Sequence, residues 1–360
     1  MFEEFSKKKC VLCGFESIEI SSSVRVCVNC LRERPEKALI FSRKTHEKWR
    51  CSIGFPAQVS QEGSRCSLCI NRCKIFPSSF GHCGVMKNIG GKLIPITEDF
   101  DKAYLRWYLD PHPTNCVALP VCPEKNHLGF NNLAVFFTGC NLDCLFCQNI
   151  DHKYMLSNGE MKEGEFISID ELAKLANQRH VSCVCYFGGD PLPWSDFTLK
   201  ASQKMNKRIC WETNGLMNET IAKQMALVSL KSGGIIKIDW KAFTPSVYES
   251  LCGVNGEKAV DRLKNNIKLI SSLDDRKEPP LLVVSTLVVP HYVDEVEVGN
   301  IARFLAQIDE NIPYILLAFA PQHLMHDVPT TSKKQMQEVF NAATSSGLKR
   351  VFVENVWLLR

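Results

Sequence analysis

Three cysteines, Cys140, Cys144 and Cys147, lie close together directly after a short apolar run, in the segment TGCNLDCLFC. Three thiolates with this spacing can bind three irons of a 4Fe–4S cluster, which normally takes four cysteine ligands. The fourth iron would then lack a protein ligand, and an open position is typical of a catalytic metal site. A zinc loop is the alternative. Because the spacing arises by chance in roughly one such cysteine-rich chain in twenty, its context must decide.

Polar residues and glycines follow three further apolar runs, at the points where those runs end. They are Gly188, Gly189 and Asp190, then Glu212 and Asn214, then Asp239 and Lys241. Paired glycines let a ligand approach the backbone closely, although a turn explains them equally well. Residues two apart on a strand share one face, although a salt bridge also explains an Asp and a Lys. Together, groups at successive strand ends predict one pocket.

The elements that must position these residues are predicted by the pattern from about Asn132 onward. Seven short apolar runs alternate there with amphipathic stretches, and Ser168 with Glu171 has the spacing of a capping box. Such alternation predicts a parallel sheet with right-handed crossovers. We therefore expect an α/β fold, namely a partial or complete (β/α) barrel preceded by small cysteine-rich metal-binding modules.

The composition divides the chain into three regions. Residues 1–50 combine two cysteine pairs with a basic stretch of little periodic hydrophobicity, which predicts a zinc-ribbon-like module. Residues 51–130 are rich in Cys, Pro and Gly and predict a loop-rich accessory region held by metal. Residues 131–360 predict the barrel domain. Because the module lies far before the barrel, we expect deletion of residues 1–40 to leave the chemistry largely intact.

Cysteine is unusually frequent, at 18 of 360 residues. Random placement gives roughly one C-x2-C pair, whereas this chain has four, which indicates metal binding in a reducing compartment. One set has the spacing of a structural zinc ribbon, with an iron–sulfur centre as the alternative: Cys10, Cys13, Cys27 and Cys30. A second set fits zinc, slightly favoured, or an auxiliary iron–sulfur cluster: Cys66, Cys69, Cys73 and Cys83.

The remaining cysteines and three histidines have weaker signals. Cys116 and Cys122 fit as replacements for, or additions to, the second set. Ordinary buried cysteines are predicted at Cys51, Cys183, Cys185, Cys210 and Cys252. Pocket-lining positions are one interpretation, and structural roles the favoured one, for His291, His323 and His326.

Bulk composition excludes some classes of protein. Apolar residues make up 45% and charged residues 23%, and no apolar stretch approaches the roughly eighteen residues of a membrane helix. The N-terminus has no secretion signal, so we expect a cytoplasmic protein without a membrane partner. The formal net charge is only +4, and dispersed basic residues leave nucleic-acid binding unsupported.

These motifs resemble a known family. FFTGCNLDCLFCQN is very similar to the cluster loop of the radical S-adenosylmethionine (SAM) superfamily, specifically of pyruvate formate-lyase activating enzymes. CSLCINRCKI and GHCGVMKNIGGKL resemble the segment before the barrel in AmmeMemoRadiSam-type members, and GLKRVFVENV resembles their last strand. The resemblance covers roughly residues 66–355.

The resemblance implies a cofactor site and a reaction. The implied ligands of a 4Fe–4S cluster are Cys140, Cys144 and Cys147. The implied SAM-binding residues are Phe146, Gly188, Gly189, Asp190, Glu212, Asn214, Asp239 and Lys241, with Asp190 standing where many members have glutamate. Such enzymes cleave SAM reductively to methionine and a 5′-deoxyadenosyl radical, which implies a one-electron donor of flavodoxin or ferredoxin type.

Three functions remain open at this point. The first is activation of a glycine in a partner protein by hydrogen abstraction, and the second is radical modification of another peptide, RNA or small molecule. The third is a non-catalytic iron–sulfur and zinc redox sensor, which the motifs at the strand ends disfavour because a sensor needs no SAM. Activation of a glycine ranks first by a small margin, and the sequence does not identify the substrate.

Overall fold

A computed structural model describes residues 5–58, 60, 62–114, 116–157, 166–273 and 276–360. Its strands are β1 (Lys8–Lys9), β2 (Glu16–Ser17), β3 (Ser64–Arg65), β4 (Lys74–Ile75), β5 (Met86–Ile89), β6 (Lys92–Pro95), β7 (Lys102–Pro111), β8 (Asn131–Phe137), β9 (Phe166–Ser168), β10 (Val181–Gly188), β11 (Arg208–Thr213), β12 (Ile236–Asp239), β13 (Leu282–Val288), β14 (Tyr314–Ala318) and β15 (Val351–Glu354). Its helices are α1 (Val28–Glu33), α2 (Pro35–Ser52), α3 (Asp151–Tyr154), α4 (Ile169–Ala176), α5 (Ser195–Gln203), α6 (Glu219–Ser232), α7 (Pro245–Cys252), α8 (Gly256–Ser271), α9 (Glu295–Ala306) and α10 (Lys333–Ser345).

A nine-stranded sheet in the order β15-β14-β13-β12-β11-β10-β8-β7-β9 forms the centre of the fold. The strands from β8 to β15, apart from β9, pair in parallel, which confirms the α/β fold and all seven predicted strands. β7 joins β8 antiparallel, and β9 joins β7 antiparallel. In the described part of the chain the sheet is therefore an open barrel, with β15 and β9 at its edges.

Helices cover the outer face of this sheet, and five of them, α4, α6, α8, α9 and α10, begin at a side-chain cap. The capping box at the start of α4 is confirmed, because the Ser168 hydroxyl accepts from Glu171 N–H while the Glu171 carboxylate accepts from Ser168 N–H. Such a cap contributes about 1 kcal/mol to helix stability. Among the described residues, none of the helices combines the length and the hydropathy of a membrane-spanning helix.

The stretch of little periodic hydrophobicity in residues 1–50 nevertheless forms a helix with a buried face. Eighteen residues, sixteen of them within residues 1–50, form α2, and its buried face consists of Ala38, Leu39, Ser42, His46, Trp49 and Arg50. Half of these side chains are polar, and two of them bind distant groups: His46 lies 3.0 Å from the Ser250 carbonyl oxygen, and the Arg50 guanidinium lies 2.6 Å from an Asp143 carboxylate oxygen. A hydrophobicity pattern therefore cannot reveal this helix.

β7 is a second element that the sequence analysis did not predict. It lies in the region interpreted as loop-rich, yet it pairs along its length with β8, from Leu105 opposite Phe137 to Pro111 opposite Asn131. Its outer half is exposed on both faces, so it has no simple alternation. The predicted boundary at residue 50 thus falls within α2, and the boundary at residue 130 falls after β7, which already belongs to the barrel sheet. The division into three folding units remains a prediction.

The N-terminal region packs directly on the barrel. One hydrophobic core includes Val24 and Leu31 together with Tyr292 of the barrel, and the Tyr292 hydroxyl accepts from Ser21 N–H at 3.0 Å. The Arg32 guanidinium bridges two carboxylates of the α9 start, with contacts of 2.6 Å to Asp294 and 2.9 Å to Glu297. These contacts argue against the expectation that residues 1–40 are dispensable.

We predict that Arg32→Ala lowers the free energy of unfolding by roughly 3 kcal/mol, because it leaves the fully buried Glu297 carboxylate without its cation. Arg43→Ala is the matched control, since Arg43 joins the same region to Glu249 but is itself largely exposed, and it should cost under about 1 kcal/mol. Urea denaturation of the metal-loaded protein measures both. Equal losses for the two variants would contradict this account of docking.

Candidate active site

The C-terminal ends of the parallel strands surround a cavity of about 390 Å³. All of the residues that the sequence analysis assigned to the cluster and to SAM line it: Cys140, Cys144, Phe146, Cys147, Gly188, Gly189, Asp190, Glu212, Asn214, Asp239 and Lys241. Parallel strands point their carboxyl ends to the same edge, which explains why residues far apart in sequence meet here. Their individual roles remain predictions.

The three-cysteine loop follows β8 and turns at Gly139, whose φ of +75° favours glycine. Cys140 is buried, whereas Cys144 and Cys147 are half-buried. Leu142 N–H and the Asn214 side-chain amide point at the Cys140 sulfur, at 3.4 and 3.8 Å. The first thiol is therefore fixed by donors suited to a thiolate, which is the form that binds metal.

A buried carboxylate holds this loop in place. Asp143 lies between the cysteines, and its oxygens lie 2.8 Å from Lys153 Nζ, 2.6 Å from Arg50 Nη1 and 2.9 Å from His82 Nε2. Burial by itself raises the pKa of the Asp143 carboxyl, but Lys153, His82 and Arg50 hold it well below its usual value. The carboxylate is thus charged at neutral pH and paired inside the protein.

The charged groups around Asp143 give a net positive charge beside the three-cysteine loop. Burial lowers the pKa of His82 to about 4, so this imidazole is neutral at pH 7. Two cations, Arg50 and Lys153, therefore face one carboxylate. Lys153 also donates to the Cys140 carbonyl at 3.0 Å, which places its ammonium against the cluster loop. Such a cation favours negatively charged ligands nearby.

Two glycines at the end of β10 allow the backbone to meet the cluster loop. A Cβ on Gly189 would lie 2.0 Å from the Gly139 carbonyl oxygen, and one on Gly188 would lie 2.7 Å from Phe137 N. Gly188 also has a φ of +112°. Because no side chain fits at either position, the pair forms a cradle of backbone groups at the cavity wall.

Asp190 follows this cradle, and its contacts indicate a positioning role. Its carboxylate accepts from Leu192 N–H at 2.8 Å, from the Thr213 hydroxyl at 3.0 Å and from Asn214 N–H at 2.7 Å. Burial raises its pKa to about 6. Since both oxygens have protein donors, Asp190 orients Asn214, whose side-chain amide then reaches Asn141 at 2.7 Å.

Two pairs of opposite charge lie on or just after β11 and β12, and three of their members, Glu212, Asp239 and Lys241, line the cavity. The Lys237 ammonium pairs with Glu212 on the adjacent strand. The Lys241 ammonium, just beyond the end of β12, pairs with Asp239 and lies 5.7 Å from the centre of the Phe146 ring. The salt-bridge alternative for Asp239 and Lys241 is therefore what the structure shows, within a cavity that both residues line.

Several cavity residues were not predicted from the sequence. Tyr108 and Asp110 of β7, Trp49 of α2 and His152 line the cavity. His152 Nε2 lies 3.7 Å from the Cys147 sulfur, and burial lowers the pKa of this imidazole to about 3. The sequence contains one local indication of the buried ion pairs, namely the acidic residue Asp143 between two cysteines of the loop.

The three histidines after late strands do not line this cavity. The His291 ring accepts from Val28 N–H at 3.1 Å, and burial lowers its pKa to about 4. The His323 ring packs edge-on against Trp49 at 4.9 Å. His326 is near the His323 carbonyl, at 2.9 Å from Nδ1. These contacts support the structural interpretation that the sequence favoured.

The expectation of five ordinary buried cysteines is confirmed only in part. Cys183 and Cys252 are buried, Cys185 and Cys210 are half-buried, and Cys51 is exposed. Cys51 is exposed because it lies in the last turn of α2, on the side away from the barrel-facing residues. Cys252 contacts the cluster loop, where its hydrogen bond with the Cys144 thiol lowers the pKa of Cys144.

The first accessory cysteine set forms a compact four-thiol group near the N-terminus. The sulfurs of Cys10 and Cys30 are 3.8 Å apart, those of Cys13 and Cys27 are 3.6 Å apart, and all four lie within 4.8 Å of one another. Tetrahedral zinc with bonds of about 2.3 Å requires sulfurs about 3.8 Å apart. The group therefore fits a single tetrahedral metal ion, although its donors do not choose between zinc and iron.

The second accessory set is more open. Cys66 and Cys73 lie on a small hairpin, where Cys66 N–H donates to the Cys73 carbonyl at 2.8 Å. The charges of Cys73 and Cys83 raise the pKa of Cys69, although burial is the larger cause. The four side chains are thus neighbours. Within the described residues, however, the N-terminal group alone has three or more such ligands within 4.8 Å of one another.

Comparison with known proteins agrees with this geometry. Residues 134–305 match the Radical SAM superfamily, so the chain contains a radical SAM domain. An uncharacterized protein of Methanocaldococcus jannaschii is 23% identical over 318 residues, or 84% of each chain. The pyruvate formate-lyase 1-activating enzyme of Escherichia coli (strain K12) is 21% identical over 244 residues, covering 60% of this chain and 90% of that enzyme.

A solved structure is similar to part of this chain. Streptococcus suis SuiB bound to precursor peptide SuiA shares 16% sequence identity with this chain, with a TM-score of 0.49, over 65% of this chain and 52% of that one.

We predict that Asp143→Asn destabilises the protein by about 3–5 kcal/mol, because it removes the buried carboxylate that Arg50 and Lys153 share. Asp151→Asn is the matched control, since this exposed carboxylate lies in the same segment as Lys153. Differential scanning calorimetry measures the stability. A variant at position 143 that melts like the control would refute the assigned role of the buried pairs.

Proposed function

We propose that this chain is a radical SAM enzyme that binds a 4Fe–4S cluster through Cys140, Cys144 and Cys147 and abstracts hydrogen from a substrate. The supporting observation is the position of these three thiols, at the end of β8 and beside the glycine cradle of β10. Three cysteine ligands leave one iron open for SAM. The radical SAM domain spans this loop.

The surrounding residues fit such a group. The Cys140 sulfur already faces two N–H donors, and hydrogen bonds of this kind stabilise thiolate ligands. Arg50 and Lys153 supply the positive balance that a negatively charged cluster requires. We propose that the SAM methionine group binds beside Gly188 and Gly189, which line the cavity without side chains.

The bound cluster would supply the electron that cleaves SAM into methionine and a 5′-deoxyadenosyl radical. The contribution of the chain is binding, orientation and exclusion of water. Asp190 fixes Asn214 at the cavity wall, and Asp239 is fixed by its pair with Lys241. We propose that these groups, with Glu212, orient the polar parts of SAM, while the buried Phe146 ring shields the site.

The accessory sites and the electron source extend this proposal. We propose zinc for the ribbon formed by Cys10, Cys13, Cys27 and Cys30, because a closed set of four thiolates in two C-x2-C pairs is typical of structural zinc sites. A flavodoxin or ferredoxin serves as the one-electron donor. The cysteine content supports a reducing compartment, and a cytoplasmic location remains a prediction.

The substrate that we favour is a glycine of a partner protein. The support is the similarity to an enzyme named as an activating enzyme of pyruvate formate-lyase. Radical modification of another peptide, an RNA or a small molecule is the second candidate. A non-catalytic redox sensor is disfavoured, because it would not require a cavity with these groups at its wall.

We predict that C140A/C144A/C147A forms no 5′-deoxyadenosine from SAM under dithionite, because the variant lacks every thiol that can hold the cluster. The exposed residue Cys51 provides the control, and Cys51→Ala should retain full activity. Chromatography of the anaerobic reaction measures the product. Product formation by the triple variant would refute the assignment of the cluster ligands.

The substrate is identified by transfer of deuterium into 5′-deoxyadenosine. Deuterated candidate proteins, or a deuterated cell extract, are incubated with the reduced enzyme and unlabelled SAM. If glycine activation is correct, label arrives from a protein deuterated only at glycine and is absent when that glycine is changed to alanine. Label from RNA or a small molecule, with none from protein, would exclude activation of a glycine and leave the SAM chemistry intact.

A further inference from the structure

Five cysteines outside the metal sites described so far gather within the barrel interior: Cys116, Cys122, Cys183, Cys185 and Cys210. Cys185 and Cys210 lie directly opposite each other on the neighbouring strands β10 and β11. Side chains alternate along a strand, so Cys185 shares the face of Phe187, and Cys210 that of Glu212. Phe187 and Glu212 line the cavity, and their face is therefore the interior one.

A short turn brings two more thiols to this place. Cys116 and Cys122 begin and end the turn, in which Leu119 N–H donates to the Cys116 carbonyl and Cys122 N–H donates to the Leu119 carbonyl. The turn is followed by Glu124, which pairs with Arg208 of β11 at 2.9 Å. Cys116 also lines the cavity itself. The turn therefore faces Cys185 and Cys210 across the interior.

The electrostatics of these thiols agree with their proximity. Burial raises the pKa of Cys210 to about 12, and the charges of Cys116 and Cys122 add to this rise. Burial is also the main reason for the raised pKa of Cys185, and Cys116 is the next. Two nearby cations act to lower the pKa values of these thiols. Lys237 acts in this way on Cys116, and Arg208 on Cys210. The group thus combines soft ligands with nearby positive charge.

The spacing of the thiols distinguishes among metals. Thiolates favour zinc, copper(I) or iron–sulfur clusters. Of the cysteines in this interior group, all of which the structure describes, no three lie within 4.8 Å of one another, as a single ion requires. The same is true of Cys140, Cys144 and Cys147, the proposed cluster ligands. A cluster of several irons does not require three sulfurs within that distance, since each thiolate binds a different iron.

We propose that Cys116, Cys122, Cys185 and Cys210 ligate a second iron–sulfur cluster inside the barrel, a site beyond the function proposed above. Cys183 is not included, because its sulfur lies 3.5 Å from the Asn132 side-chain oxygen and 3.9 Å from His112. Cys185 precedes the end of β10 by three residues, which places the cluster roughly 10 Å below the level of Gly188. Through Cys116 it borders the cavity that receives the substrate.

The test uses the C140A/C144A/C147A variant, so that the result is independent of SAM cleavage. Two further pairs of substitutions are made in it separately, C185A/C210A on the strands and C116S/C122S on the turn. After anaerobic reconstitution, each pair should remove the same roughly two to four irons per chain, with equal acid-labile sulfide and the same electron paramagnetic resonance signal. C51A/C183A is the matched control and should retain this iron.

The same two pairs of substitutions are also made in the otherwise unchanged chain, as a control for misfolding of the combined variants. Circular dichroism checks that the barrel is intact. Each pair is expected to remove as much iron from the otherwise unchanged chain as it removes in the C140A/C144A/C147A background. Unchanged iron in either pair, equal loss in the control, or zinc recovered in place of iron would overturn the proposal. Because the Cys66 to Cys83 set is untouched throughout, iron held there stays constant and cannot imitate the result.

Discussion

The arrangement of the site depends on one buried carboxylate, Asp143, and on the charges that it pairs. Transfer of ions from water costs several kcal/mol each, and this cost is offset only when partners are held in good geometry. Its partners come from three parts of the chain: Arg50 from α2, His82 from the segment before β5, and Lys153 from α3. The cysteine loop is therefore fixed by residues both before and after it.

The same loop is coupled to the neighbouring strands through backbone contacts. Gly189 N–H donates to the Phe137 carbonyl, and Asp190 N–H donates to that of Gly139, so β10 and the loop share their terminal hydrogen bonds. Asp190 extends the connection to β11 by accepting from Asn214 N–H. The glycines permit the two backbones to approach closely, and the hydrogen bonds of the buried Asp190 carboxylate fix the geometry of this approach. The positions of separate strand ends are thus interdependent.

The regions before the barrel are part of this arrangement. α2 supplies both Arg50 and the cavity residue Trp49, and β7 supplies Tyr108 and Asp110. The cysteines form groups of different spans, compact at the N-terminus and wider elsewhere. Four sulfurs within 4.8 Å of one another fit a single ion, and the zinc ribbon and iron–sulfur sites proposed above follow this difference between the groups.

The sequence by itself determined the seven parallel strands, the start of α4 and the residues at the strand ends, because each depends on local period or spacing. It did not reveal α2, whose polar buried face is explained only by partners such as Asp143, far along the chain. Nor did it group Cys116 with Cys185, which it treated as an ordinary core residue. Tertiary structure decided these features, because ion pairing and ligand geometry depend on distances in space. Spacing along the sequence does not specify these distances for groups that only the fold brings together.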